Sequence, residues 1–283
     1  MVITKTIFKM TQFYTLQVAK LTQLTNDTVA ISFDIPSELK DKFSYKPGQY
    51  LTLKLTINDK EERRAYSLCS SPYTDNYLEV AVKQVENGIV STYINQNLKE
   101  GDKIEVMPPQ GNFVLEINEN ASNSYVGFAA GSGITPIMSM IKSVLAKEPN
   151  SNFTLIYGNK TKNSTIFYNE LKELTGDKFK LINVYSREAS GNDLTDGRID
   201  SSKATAILKE NLDLLKADAF YMCGPEQMIV NVEESLKTFG VEESKIHYEL
   251  FTTPVLLKKE AVKETVNFEG EATVKVIYDD EEV

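Results

Sequence analysis

The spacing of apolar residues changes its period near residue 120, and few folds accommodate both halves of such a chain. Up to about residue 117, apolar and polar residues alternate in short runs: "FYTLQVAKL", "TVAISFDI", "QYLTLKLTI", "RAYSL", "YLEVAVKQV", "KIEVM" and "NFVLEI". Turn material such as Lys46-Pro47-Gly48, Glu86-Asn87-Gly88 and Pro108-Pro109-Gln110-Gly111 separates them. Period two with regular punctuation predicts antiparallel strands, arranged as a barrel or a sandwich. One interruption, "STYINQNL" at 91–98, predicts a short helix opening with Ser91 and Thr92.

From about residue 124, strand-length runs alternate with helical ones. "SYVGFAA" precedes "ITPIMSMIKSVLA", "FTLIYG" precedes "STIFYNELKELT", and "KLINVYS" precedes "KATAILKENL". "DAFYMC" then precedes "EQMIVNVEESLKTF", and "KIHYELF" closes the series. Five strands with intervening helices predict a parallel sheet covered by helices. The expected organisation is an N-terminal extension over 1–12, a β domain over 13–118 and an α/β domain over 119–253. A charge-rich linker and a final strand and turn, "ATVKVIYDDEEV", fill 254–283.

Composition removes several function classes. A net charge of -9 and a pI near 4.9 speak against nucleic acid as a partner, which needs clustered cations. No apolar run approaches the roughly 18 residues of a membrane span. "MVITKTIFKM" lacks a signal peptide's apolar core, so the expected compartment is the cytoplasm. Cys69 and Cys223 are too few for a disulfide framework, a zinc site or an iron–sulfur cluster. The single histidine, His247, lies in a strand-like stretch, which makes triad hydrolysis a poor reading.

Four stretches carry chemistry. "GFAAGSGITP" sets Gly127, Gly131 and Gly133 after a strand and Pro136 in the first turn of a helix, where N–H groups suit a pyrophosphate. Pro136 takes the place of the third glycine of G-x-G-x-x-G, and no Walker lysine follows; a tight turn without ligand is the alternative. In "RRAYSLCSSP", Arg64 and Tyr66 share one strand face, as a phosphate clamp beside a flat ring or as plain exposed polar surface. In "VKQVENGIVSTYI", Gly88 precedes Ser91 and Thr92, which provides a second anion site or ordinary N-capping. In "YMCGPEQM", Cys223 ends a strand before Gly224-Pro225, so Cys223 and Gly131 can face one cleft; a buried inert thiol is the alternative.

In series, R-x-Y-S, G-x-x-S, G-S-G-I-T-P, C-G-P and a closing Y-E-x-F resemble the ferredoxin–NADP reductase superfamily over roughly 13–253. The resemblance implies an antiparallel FAD-binding β-barrel followed by a parallel-sheet NAD(P)-binding domain. It implies that Arg64, Ala65, Tyr66 and Ser67 hold FAD, with Val82, Lys83, Val85, Gly88, Val90, Ser91 and Thr92 along its ribityl and diphosphate. Gly131, Gly133, Ile134 and Thr135 would serve the nicotinamide dinucleotide, with Cys223, Gly224 and Pro225 near the nicotinamide. Ser67 and Thr135 would lie near the flavin, Glu249 at its edge and Phe251 against its ring; Ser67, Cys223 and Glu249 are thus the expected catalytic set. Solvated-strand and core roles remain open for Glu249 and Phe251.

In "YSREASGNDLTDGRI", Ser186, Arg187 and Arg198 form an expected 2′-phosphate pocket, favouring NADPH over NADH, although Glu188 stands nearby. The tail resembles the first hairpin of a [2Fe–2S] ferredoxin domain, an arrangement most like the phenylacetyl-CoA epoxidase and similar oxygenase reductases. No cysteine lies beyond Cys223, so a cluster would exist only in a longer gene product, and this chain would be a shortened form. The expected function is hydride transfer from NADPH to FAD, then single electrons to an iron–sulfur acceptor. That acceptor would be the chain's own missing domain, a ferredoxin, or an oxygenase or epoxidase component, with flavodoxin as a variant; the reductase itself would be a monomer. The alternatives are a flavin-binding assembly protein without hydride transfer, and a flavin-free dehydrogenase.

Overall fold

The computed structural model describes residues 12–251 together with 277, 278, 281 and 282. Six strands form one antiparallel sheet in the order β4-β3-β6-β1-β2-β5. They are β1 (Tyr14–Thr25), β2 (Thr28–Asp34), β3 (Tyr50–Ile57), β4 (Lys60–Ser67), β5 (Leu78–Lys83) and β6 (Lys103–Gln110). Alternation turns Leu16, Phe33, Leu51, Leu53, Val80 and Val106 into one core. The outer strands of this sheet meet: Leu68 bridges Val80, and the Cys69 N–H donates to the Glu79 carbonyl at 2.8 Å. Closure of that seam selects the barrel over the sandwich and leaves fewer unpaired edge groups. α1 (Ile89–Gln96) sends Val90 and Ile94 into the same core.

Two expectations in this half are corrected. "NFVLEI" forms no strand. Phe113 and Leu115 are buried as the alternation required, but they pack into the second domain's core, and the Leu115 N–H donates to Pro47 O at 3.1 Å. Pro108 and Pro109 do not form a turn: they lie inside β6, where its register with β3 shifts between Tyr50 and Thr52. A shift of this kind tolerates residues without an N–H.

The second half is a five-stranded parallel sheet in the order β11-β10-β7-β8-β9. Its strands are β7 (Ser124–Ala130), β8 (Asn152–Asn159), β9 (Phe179–Tyr185), β10 (Ala219–Cys223) and β11 (Ile246–Glu249). α2 (Ile134–Lys147) and α3 (Tyr168–Leu174) bury Ile137, Met140 and Leu171 in a cluster with Phe153 and Tyr221. α4 (Ser201–Glu210) and α5 (Glu226–Thr238) bury Ile207 and Ile229 with Val126 and Phe220. Covering on both faces explains why β7 and β10 read as continuous apolar runs. α3 is shorter than "STIFYNELKELT" suggested. Thr161 and Ser164 cap a separate short turn, and Phe167, at φ 60°, breaks the path before Tyr168.

The chain runs from β7 outward through β8 and β9, then returns to place β10 and β11 on the other side of β7. Strand order therefore reverses between β7 and β10, the position where open α/β sheets bind ligands beyond the carboxyl ends of their strands. In the tail, β12 (Ile277–Tyr278) and β13 (Glu281–Glu282) pair antiparallel, Ile277 opposite Glu282. The N-terminal extension and most of the expected linker, at 1–11 and 252–276, lie outside the described residues.

Candidate functional site

The glycine turn sits at the reversal point. After β7, Gly131 adopts φ +55°, and no atom lies within 4 Å of where its Cβ would stand, so the backbone there is open to approach. Gly133 is the opposite case: a Cβ would stand 2.0 Å from Cys223 O, because the turn presses on the Cys223-Gly224 backbone. Two distant sequence stretches, "GSGITP" and "MCGP", thus form one surface. The Tyr157 hydroxyl donates to Gly131 O at 2.9 Å and steadies the turn, a role the sequence did not suggest. Ile134 and Thr135 are buried, and the Thr135 hydroxyl is spent on Ser132 O at 3.0 Å. What they can present is backbone. No side chain caps α2, which suits its start to an anion.

On the barrel side, Arg64 and Tyr66 of β4 share a face, opposite Leu53 and Leu51 of β3. Arg64 is exposed and pairs with Glu62 at 3.1 Å. Burial pushes the Tyr66 hydroxyl up to about 12, against the pull of Arg64, so the ring is neutral near pH 7. The helix beyond β5 begins at Ile89, not at Ser91. Ser91 is not an N-cap: its hydroxyl accepts the Val85 N–H at 3.2 Å and donates to Gly88 O at 3.3 Å, tying the turn before α1. A recess of about 460 Å³ opens beside it, lined by Thr56, Ile57, Asn87, Gly88, Thr92 and Tyr93. Val82 and Val90 point into the barrel core and Lys83 pairs with Asp27 at 3.5 Å, whereas Ala65 and Val85 face outward. Of Val82 and Val90, only main-chain atoms can meet a ligand.

The two halves touch at the expected catalytic set. Cys223 of β10 lies in register with Ala129 of β7 on one side and with Glu249 of β11 on the other. The Ser67 hydroxyl, at the end of β4, donates to Glu249 Oε2 at 3.3 Å. Burial pushes the Glu249 carboxyl up to about 7, and the Ser67 bond opposes it. Burial, reinforced by Glu249, pushes the Cys223 thiol up, so it stays protonated and a poor nucleophile. Phe251, just past β11, is 48% exposed, which rules out a core role.

Beyond β9, two loops are zipped together. The Ser186 and Arg187 N–H groups donate to Asn159 O and Lys160 O at 2.9 and 2.8 Å, and Glu188 Oε2 accepts the Lys162 N–H at 2.7 Å. The Gly197 N–H donates to Tyr185 O at 2.8 Å, which brings the Arg198 loop alongside Ser186. Among the described residues, neither the Arg187 nor the Arg198 guanidinium has an ion-pair partner. Gly224 is partly covered and Pro225 exposed. Among the described residues no group of His, Cys, Asp or Glu is arranged to hold a metal ion, and no helix is long and apolar enough to cross a membrane.

Both halves have counterparts among known proteins. Residues 15–115 match the oxidoreductase FAD-binding domain family, and residues 128–234 match the oxidoreductase NAD-binding domain family. The chain is 37% identical over 283 residues to one of the subunits of 1,2-phenylacetyl-CoA epoxidase from Escherichia coli (strain K12), covering 96% of this chain and 79% of that one. It is 34% identical over 239 residues to the ferredoxin reductase component of 3-ketosteroid-9-alpha-monooxygenase from Rhodococcus rhodochrous, covering 84% of this chain and 65% of the relative. Among solved structures, the FAD/NAD-binding domain of nitric oxide dioxygenase from Vibrio cholerae superposes with a TM-score of 0.71 at 26% identity. It covers 83% of this chain and 97% of that one.

Proposed function

The chain belongs to the ferredoxin–NADP reductase superfamily and is an NAD(P)H-dependent flavoprotein reductase; from that premise we propose that it draws hydride from NADPH onto FAD and passes electrons singly to an iron–sulfur acceptor. The observation that carries the reading is the Ser67–Glu249 hydrogen bond, which closes the flavin-side strand β4 onto the strand-order reversal of the second sheet. On this reading the flavin and dinucleotide sites meet where these two strands touch.

Bound together, NADPH supplies a hydride with its two electrons, leaving NADP⁺, and FAD accepts both electrons and can release them one at a time. The chain's own task is positioning. On the barrel side, Arg64 and the N–H groups at the start of α1 hold the FAD diphosphate, Thr92 lines the recess beside it, and the Tyr66 ring offers a stacking face. On the sheet side, the open backbone at Gly131 and the start of α2 hold the dinucleotide's diphosphate. Cys223, fully buried, backs the wall with a neutral sulfur, and Gly224 and Pro225 shape its surface. Glu249, with a carboxyl near 7, can hold or release a proton at Oε2 beside Ser67. Phe251 shields the crevice mouth from water. Ser186, Arg187 and Arg198 take the 2′-phosphate, supported by the two guanidinium groups having no ion-pair partner among the described residues and by Glu188 being spent on the Lys162 N–H.

The acceptor reading rests on the relatives, named as a reductase component of a monooxygenase and as part of an epoxidase. The partner class is an oxygenase or epoxidase component, or a ferredoxin or ferredoxin-like domain serving one. Two buried free thiols, Cys69 and Cys223, favour a reducing cytoplasm, and the reading assigns a monomer. Steady-state kinetics test the dinucleotide assignment. NADPH gives the higher kcat/KM, and Arg187→Ala narrows the preference by about tenfold or more, the worth of a charge-assisted phosphate contact. A higher kcat/KM with NADH overturns it.

A further inference from the structure

α2 begins at the dinucleotide turn and continues into a buried polar contact with the barrel. Ser139, Lys142 and Ser143 recur at helix spacing on one face of an otherwise apolar helix. Opposite them lies the loop from Ser70 to Asp75, which starts three residues after Ser67 of β4. The four serines, 70, 71, 139 and 143, are fully buried. The Ser139 hydroxyl donates to Ser70 O at 2.5 Å. The Ser143 hydroxyl donates to Ser139 O at 2.7 Å, so in its 2.9 Å contact with Ser71 it must accept. The Ser71 hydroxyl in turn accepts the Tyr73 N–H at 3.2 Å. A directed chain of hydrogen bonds thus runs from barrel backbone to helix backbone with every member satisfied.

Lys142 extends the contact. Its ammonium, 14% exposed, lies 3.3 Å from Asp75 of the barrel and 2.6 Å from Glu170 of α3. Asp75 also accepts the Ser71 N–H at 2.8 Å. On another side of α2, a Cβ on Gly48 would stand 2.6 Å from Met140 Cε and 2.0 Å from Phe113 O, so the barrel turn there rests directly on the helix. Apolar packing alone tolerates sliding, because its energy depends weakly on register. A buried chain of hydroxyls does not, since displacement strands donors and acceptors away from water.

We propose that this latch fixes the spacing between the flavin strand and the dinucleotide helix, and that Ser139, Lys142 and Ser143 are positioning residues for hydride transfer. The inference rests on the functional reading above and deepens it. The same helix that presents its first turn to the dinucleotide is bolted, one to two turns later, to the loop that leaves β4. The hydride donor and acceptor are then held at one separation by the protein rather than by the ligands.

The test is anaerobic stopped-flow reduction of the FAD-loaded enzyme by NADPH, comparing wild type with the double variant Ser139→Ala, Ser143→Ala. The expected result is a limiting rate of flavin bleaching at least about tenfold lower, with dinucleotide Kd unchanged within about twofold, as expected of lost alignment. The long-wavelength absorbance of the stacked nicotinamide–flavin pair falls with the rate. A purely structural role would lower the thermal midpoint and leave the limiting rate and that absorbance unmoved, which overturns the proposal. If the double variant does not retain FAD, Ser71→Ala carries the same comparison through the barrel end of the chain, and an unchanged limiting rate there is equally fatal. Wild-type enzyme that NADPH never bleaches overturns the functional reading and this proposal together. Wild type and variants that bleach equally fast overturn this proposal alone.

Discussion

Gly131 and Gly133, two residues apart, obey different constraints. Gly133 is a space requirement: an added Cβ meets Cys223 O at 2.0 Å, and backbone cannot step aside as a side chain can. Gly133→Ala is therefore expected to cost at least about 2 kcal/mol, read by denaturant unfolding of the cofactor-free protein. Gly131 is a conformational requirement, with φ +55° and open space around it. Gly131→Ala should cost only about 1 kcal/mol. Its larger effect should be on dinucleotide binding, because the methyl group enters the approach path. Equal losses of stability at the two positions would contradict this division.

Glu249 gives a pH prediction at the same scale. Its folded carboxyl stands near 7 against an ordinary 4.5, so the folded state binds this proton more tightly than the unfolded one. The stability it contributes is complete below the unfolded value and is lost as pH rises through the folded value. In the cofactor-free protein, the wild-type minus Glu249→Gln stability difference should fall between pH 4.5 and 7 and level off above. Ser67→Ala removes the bond that holds the carboxyl down and should move that midpoint higher. A difference independent of pH would refute the burial argument.

At the scale of elements, periodicity located nearly every strand and helix, and the failures have physical causes. In "NFVLEI" the alternation is real, since Phe113 and Leu115 are buried, but no neighbouring strand offers its backbone a partner. Pro108-Pro109 read as a turn because proline cannot complete a ladder, whereas the register shift in β6 leaves room for it. Sequence spacing alone could not choose between barrel and sandwich, since closure depends on Leu68 meeting Val80. The candidate site's backbone was legible where a motif fixes it, as at Gly131 and Gly133. It was not legible where partners come from distant elements: Tyr157 on the glycine turn, or Ser139 and Ser143 against Ser70 and Ser71. The one signal for those serines was polarity at 139, 142 and 143 on a buried helix. α1 supplies the prediction here. Ser91→Ala strands the Val85 N–H and frees the Gly88 turn, costing about 1 kcal/mol. FAD should dissociate faster, measured as the rise of free-flavin fluorescence on dilution, while the melting of the second sheet is unaffected.

Across the whole molecule, charge is distributed unevenly. The chain carries a net charge of -9, yet three of its four arginines, 64, 187 and 198, fall at the two expected cofactor sites, and the fourth, Arg63, adjoins Arg64 in β4 and pairs with Glu61. Guanidinium groups are the residues of choice for bidentate phosphate contacts, so their confinement to β4 and to the loops beyond β9 matches a protein that holds two dinucleotides and otherwise presents an acidic surface. On the proposed reading each half supplies one anion-binding turn, and the hydrogen bond between Ser67 and Glu249 joins the two halves beside them. The most direct measurement is the visible spectrum of the FAD-loaded protein before and after one equivalent of NADPH under anaerobic conditions. The expected result is a yellow protein whose flavin absorbance is lost on addition and returns with an iron–sulfur acceptor. A protein that takes up no flavin, or a yellow one whose spectrum NADPH leaves unchanged, would contradict it.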